Sequence, residues 1–173
     1  MNDNELRCGF VAVVGRPNVG KSTLINRLVG QKVSITTDRP QTTRQAILGI
    51  RTEPAWQIVF VDTPGIHQGQ KRQINRLMNR IAVSALQDAD LILWLVEAQR
   101  LTDEDEVVLS HVVKAAQPVI LVVNKIDQLA DKTQLLPLMD RLGSQADFAE
   151  IVPVSALRAD NLHDLESTLI NYL

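Results

Sequence analysis

The chain has 173 residues, 45% of them hydrophobic, which suits one domain with a real core. Its formal charge of −2 excludes a global electrostatic pull toward nucleic acid or an anionic membrane, while leaving room for a local basic patch. One cysteine, Cys8, excludes an internal disulfide, and no apolar run approaches the roughly 18 residues that span a bilayer. The N-terminal MNDNELRCGF lacks the apolar segment of a signal peptide. The expectation is a single-domain intracellular protein over residues 1–173.

In chain order, short apolar runs alternate with helix-length amphipathic segments. A strand is expected at Gly9–Gly15, a helix at Lys21–Leu28, and a long loop at Gln31–Arg44. Gln45–Thr52 is a more mixed strand, suited to a sheet edge, and the short link EPA to the strand Trp56–Asp62 predicts an antiparallel hairpin. A helix follows at about Ile74–Leu86, then a strand at Leu91–Glu97. The helix Asp103–Ala115 opens on Thr102 as cap, with acids in its first turn. The strand Val119–Lys125 precedes a helix at Gln134–Leu142, where Pro137 is tolerated only in the first turn. The strand Ile151–Ala156 and the helix Leu162–Leu173 close the chain, and Leu162, Leu165, Leu169 and Tyr172 share one helical face. This alternation predicts an α/β fold: a doubly wound, mostly parallel six-stranded sheet with one antiparallel edge strand and helices on both faces.

The loop after the first strand reads GRPNVGKS, which fits G-x-x-x-x-G-K-[ST] between a strand and a helix. Gly15 and Gly20 permit backbone shapes that turn several N–H groups toward an anion, and the next helix adds its positive end. Arg16, Pro17, Asn18, Val19 and Thr23 belong to this phosphate-binding stretch. Lys21 is placed to bridge outer phosphates and to stabilise charge on a transferring phosphoryl group; the Ser22 hydroxyl can ligate Mg²⁺. An ordinary glycine turn is the plainer alternative, and the strand–helix context disfavours it.

Asp62–Gly65, DTPG, also follows an apolar strand. The pattern D-x-x-G occurs by chance in roughly half of chains this long, so only its position gives it weight. There Asp62 can hold the water shell of Mg²⁺, Gly65 can offer its N–H to a terminal phosphate, and Thr63 and Pro64 line the same turn. Asn124–Asp127, NKID, ends another strand. The Asp127 carboxylate can accept from guanine N1–H and the 2-amino group, a donor pair adenine lacks. Lys125 can lay its stem along the base, Asn124 can brace the loops, and the Ala156 N–H, between Ser155 and Leu157, can meet guanine O6.

With these elements in order, the whole chain resembles the phosphate-loop GTPases. GRPNVGKST, DTPGIH and NKID are similar to the Era/TrmE-type bacterial branch, and PQTTR together with QKRQINRLMNRIAVSAL are similar to the Era family within it. The resemblance implies a P-loop NTPase fold, a G domain. It implies binding of GTP and GDP with Mg²⁺ and slow hydrolysis of GTP by a molecular switch. It also implies partners in the small ribosomal subunit and its 16S rRNA, reached mainly through a C-terminal KH domain that this sequence does not contain. The expected location is the bacterial cytoplasm, with peripheral inner-membrane association left open, and the expected state is a monomer. A non-hydrolysing GTP/GDP-dependent binding module and the G domain of another Era-related ribosome or tRNA GTPase are the alternatives; an ATP-using phosphotransferase is disfavoured by NKID.

For hydrolysis, many relatives use a Gln where this chain has Ile66, which cannot orient water. By resemblance QTTR is the first switch segment, so Thr42 or Thr43 reaches Mg²⁺ and contributes to catalysis. Asn18 is the candidate K⁺ ligand by the same resemblance, standing in for an arginine finger. Arg16, Arg39 and Arg44 are more plainly solvated loop residues than fingers. Cys8 reads as small and buried, Trp56 and Trp94 as core, and His67, His111 and His163 as surface residues. Lys71, Arg72, Arg76 and Arg80 form a basic series that is solvated or touches RNA.

Overall fold

A computed structural model of the chain describes residues 7–30, 47–63 and 82–173. Six strands form one sheet: β1 (Arg7–Val14), β2 (Ile47–Glu53), β3 (Trp56–Asp62), β4 (Leu91–Glu97), β5 (Val119–Asn124) and β6 (Glu150–Pro153). Their order is β2-β3-β1-β4-β5-β6. Only β2 and β3 pair antiparallel, from Ile47 opposite Asp62 to Glu53 opposite Trp56. All other neighbours are parallel. The helices are α1 (Lys21–Val29), α2 (82–88 among the described residues), α3 (Asp103–Val112), α4 (Leu135–Gly143) and α5 (Leu162–Tyr172). The expected doubly wound α/β sheet with one antiparallel edge is therefore the fold.

Strand residues alternate between two cores, because successive side chains point to opposite faces. Val11, Val13, Leu91, Leu93, Leu95, Ile120 and Val122 meet Leu24, Ile25 and Leu28 of α1 and Leu165 and Leu169 of α5. Ala12, Val14, Ile92, Trp94, Val96, Leu121 and Val123 meet Ala82 and Leu86 of α2, Val108 and Val112 of α3 and Leu142 of α4. Each fully buried Leu or Ile contributes about 1.5–3 kcal/mol. Two dry layers of this kind hold the strand ends, where the loops emerge, in fixed positions.

Several expectations shift. The helix expected at Asp103–Ala115 ends at Val112, where the chain tightens as Lys114 N donates to His111 O and Ala115 N to Val112 O. Lys125 leaves β5 because its φ of 64° lies in the left-handed region. β6 stops at Pro153, and Ser155 instead bridges to Asp160. Pro137 does fall in the first turn of α4. Cys8 is exposed, not buried: β1 gains β4 as a neighbour only from Val11 onward, so Cys8 and Phe10 lie beyond the covered part of the strand. Trp94 is core, its ring tilted 34° to that of Phe148 with centroids 5.6 Å apart, whereas Trp56 is only partly buried, with the Arg51 guanidinium 5.3 Å from its ring centroid. Tyr172 is exposed at the end of α5, its hydroxyl donating to Ala149 O. His111 is half-buried and His163 exposed. Arg39, Arg44, Ile66, His67, the basic series Lys71, Arg72, Arg76 and Arg80, and the expected helix before residue 82 lie outside the described residues.

Candidate functional site

All six buried polar residues among the described ones lie at or beyond the carboxyl ends of strands: Lys21, Asp62, Thr63, Asp105, Asn124 and Ser155. In an open α/β sheet this edge is where ligands bind. The sequence explains the geometry there. A Cβ on Gly15 would stand 2.7 Å from Leu95 O, and one on Gly20 2.3 Å from Asn124 Nδ2. Both residues have positive φ, 155° and 106°. Only glycine lets the phosphate loop press against the ends of β4 and β5 at these two points.

Within that loop the Lys21 ammonium donates to Gly15 O at 3.0 Å and Arg16 O at 2.9 Å. Burial lowers its pKa to about 8; Asp62 opposes that shift and Arg16 adds to it. A buried ammonium held below its ordinary range is poised to gain from an arriving polyanion. Ser22 Oγ donates to Asp62 Oδ2 at 2.6 Å, joining α1 to the end of β3. A hydroxyl and a fully buried carboxylate beside a phosphate-shaped loop are oxygen donors suited to a hard cation such as Mg²⁺. Among the described residues no group of three or more His, Cys, Asp or Glu is placed to hold a metal ion.

The second loop meets the first. Asn124 Nδ2 donates to Val19 O at 2.9 Å, and its Oδ1 accepts from Ala156 N at 3.0 Å. One side chain thus joins the phosphate loop, the β5 loop and the segment after β6. The Ala156 N–H, expected to face a base, is taken by Asn124. Asp127 Oδ1 accepts from Ser155 Oγ at 2.6 Å, which aims the carboxylate from the β6 side. Lys125 Nζ donates to Asn18 O at 2.8 Å and is paired with Glu97. Asn18 itself has a φ of 62°.

Other sequence candidates sit differently. Thr63 turns its hydroxyl to Val13 O at 2.8 Å, tying β3 to β1. Leu157 is exposed beside the same edge and its carbonyl accepts from Arg27. Arg16 is not a solvated loop residue. Its guanidinium is clamped by Glu97 and by Asp105, leaving a side chain 12% exposed. Thr42, Thr43, Pro64 and Gly65 lie outside the described residues. Sequence reasoning missed Glu97 and Asp105. An acid ending a strand beside NKID was the available signal, but only the sheet register sets Glu97 opposite Asn124.

A family model described as "50S ribosome-binding GTPase" matches residues 10–125. The chain belongs to this GTPase family. It is 52% identical over 166 residues to the GTPase Era of Glaesserella parasuis, covering 96% of this chain and 55% of that protein. It is 54% identical over 159 residues to the GTPase Era of Actinobacillus pleuropneumoniae, covering 92% and 52%. The chain thus spans about half the length of these curated relatives. A crystal structure of Era with MgGDPNP and a 16S ribosomal RNA segment superposes with a TM-score of 0.92 at 40% identity, over 98% of this chain and 58% of that one. An Aquifex aeolicus Era variant bound to GDP and aluminium fluoride gives 0.91 at 40% identity, over 97% and 57%. The G domain of the Thermotoga maritima FeoB iron transporter shares the fold at 24% identity, with a TM-score of 0.69 over 96% and 99%.

Proposed function

We propose that this chain binds GTP and GDP and hydrolyses GTP slowly, as the G domain of a molecular switch. The observation that carries the reading is the meeting of two loops on one buried asparagine: Asn124 ties the phosphate loop, with Lys21 and Ser22, to the Asp127 loop and the segment after β6. Polyphosphate and base would be gripped at the two ends of that arrangement. Asp127, held by Ser155, would accept from guanine N1–H and the 2-amino group, and adenine offers no such pair. Lys21 would trade its carbonyl partners for phosphate oxygens. Mg²⁺, when bound, would be held by Ser22 and Asp62 together with Thr42 or Thr43, and would neutralise phosphate charge. Gly65 would report the terminal phosphate. Ile66 leaves no side chain to orient water, so slow turnover follows, and Asn18 is assigned the K⁺ contact that compensates charge.

Era relatives named as GTPases, and Era structures with MgGDPNP and with GDP, support this reading. The broad family description names the 50S subunit, whereas the 40%-identical structure carries 16S RNA. The more similar protein is the better guide, so the proposed setting is maturation of the small ribosomal subunit in the bacterial cytoplasm. In that setting a monomeric G domain drives a partner segment that grips RNA. Among the described residues no helix is long and apolar enough to cross a membrane.

The test is GTP turnover by the purified chain with Mg²⁺ in matched KCl and NaCl. Slow hydrolysis, faster in K⁺, is expected. Equal rates in the two salts would remove Asn18 from the K⁺ role. GTP surviving intact for many hours in K⁺ would favour the non-hydrolysing switch that Ile66 suggests. Asp127→Asn should weaken GDP and improve xanthosine diphosphate; an unchanged preference would displace the base site.

A further inference from the structure

Glu97 ends β4, opposite Asn124 in the β4–β5 register. Its carboxylate joins two loops, because Oε1 receives Lys125 Nζ and Oε2 receives Arg16 Nη2. Each cation is anchored a second time. Lys125 Nζ donates to Asn18 O at 2.8 Å. Arg16 Nε donates to Asp105 Oδ2 at 3.1 Å. That same oxygen accepts from Thr102 N and Oγ1, capping α3. One continuous chain of charge therefore runs from the base loop through β4 to the phosphate loop and into α3.

The environment gives these pairs weight. Side-chain exposures are 18% for Glu97, 12% for Arg16 and 27% for Lys125, so solvent screens them less than surface pairs. Burial alone would raise the Glu97 pKa, but the hydrogen bond from Lys125 and the charge of Arg16 outweigh it and hold the carboxyl below its ordinary range. Lys125 also has left-handed backbone, unfavourable for a residue with a Cβ, and its twice-anchored ammonium fixes that conformation.

We propose that Glu97 is a positioning residue that couples the base half of the nucleotide site to the phosphate half, acting through Lys125 and Arg16. The inference rests on the guanine-nucleotide reading above. Glu97 would touch no ligand atom. It would hold Lys125 where its stem can lie along the base, and hold Arg16 away from the phosphates, leaving Lys21 alone to meet them. Affinity would then depend on the two loops being locked together before the nucleotide arrives.

The experiment titrates GDP by calorimetry, at fixed Mg²⁺ and salt, into the wild-type chain, Glu97→Gln, Lys125→Met, Arg16→Gln and the doubles that pair Glu97→Gln with each of the others. Glu97→Gln is expected to weaken GDP about ten-fold. Adding it to Lys125→Met, or to Arg16→Gln, should weaken GDP much less than the product of the single effects. Multiplicative singles, or a Glu97→Gln chain that loses urea stability while keeping wild-type GDP affinity, would overturn the proposal. If Glu97→Gln does not fold, Lys125→Met and Arg16→Gln carry the test with their own double. Two cations sharing one carboxylate must be non-additive, and additivity overturns it. The wild-type preference for GDP over ADP is read first, so failure of the guanine reading is seen separately from failure of the coupling.

Discussion

In the phosphate loop, Gly15 sets backbone against the Leu95 carbonyl, Gly20 sets it against the Asn124 amide, and the buried cation, Lys21, rests on two carbonyls. In the base loop, Asn124, Lys125 and Asp127 are each held through their side chains, by Val19 and Ala156, by Asn18 and Glu97, and by Ser155. The first region is a shaped surface around a buried charge whose natural partner is an anion. The second is a closed set of hydrogen bonds with its carboxylate already aimed. Damage to the first should therefore act through charge and sterics, and damage to the second through lost orientation.

Lys21→Met separates the two most sharply. It should cost GTP affinity about 100-fold or more, because charge-assisted bonds to phosphate disappear, while the ligand-free chain keeps its melting temperature or gains. Nucleotide titration and thermal unfolding check both halves. An equal loss of stability would mean that the loop needs its cation to fold. Gly20→Ala should come next. Its Cβ meets Asn124 Nδ2 at 2.3 Å on positive-φ backbone, so the amide that ties the two loops must give way. A loss of about 2–3 kcal/mol in urea denaturation is expected, with GDP weakened about 30-fold.

A smaller effect sharpens the charge argument. With a Lys21 pKa of about 8, the ammonium is present below that pH and largely absent above it in the ligand-free chain. Bound phosphate would pull the pKa up, so binding above pH 8 must take up a proton. Affinity should fall by up to about ten-fold between pH 8 and 9. Calorimetry in buffers of different ionisation enthalpy measures the uptake, and Lys21→Met should abolish the slope. Stability runs the other way. The unfolded chain keeps the lysine proton to its ordinary pKa while the fold releases it near 8, so the ligand-free fold gains from this group as pH rises through that window. Smallest should be Ser155→Ala, which removes the hydroxyl that aims Asp127 and accepts from Arg158 N, and should weaken GDP about five-fold through faster dissociation. Stopped-flow release of a fluorescent GDP analogue reads it; unchanged dissociation would make Ser155 a structural bridge alone.

The order of elements and the turns after β1 and β5 were legible because their signals are local. Apolar runs mark buried strands, a glycine pair before Lys-Ser marks a phosphate turn, and a short link marks the β2–β3 hairpin, which Pro54 and Ala55 close. Cys8 misread because it sits on the right face of β1 but outside the stretch, from Val11 onward, where β4 covers that strand. Arg16 misread because its sequence neighbours carry no acid, and Glu97 and Asp105 arrive from 81 and 89 residues away.

The sequence by itself determined the order of strands and helices and the turns between them, since periodicity and glycine tolerance act over a few bonds. Tertiary structure alone decided who holds those loops. Sheet register sets Glu97 beside Asn124, and helix docking sets Asp105 beside Arg16. Charges choose partners through space, and packing of the two apolar layers fixes which distant charges meet.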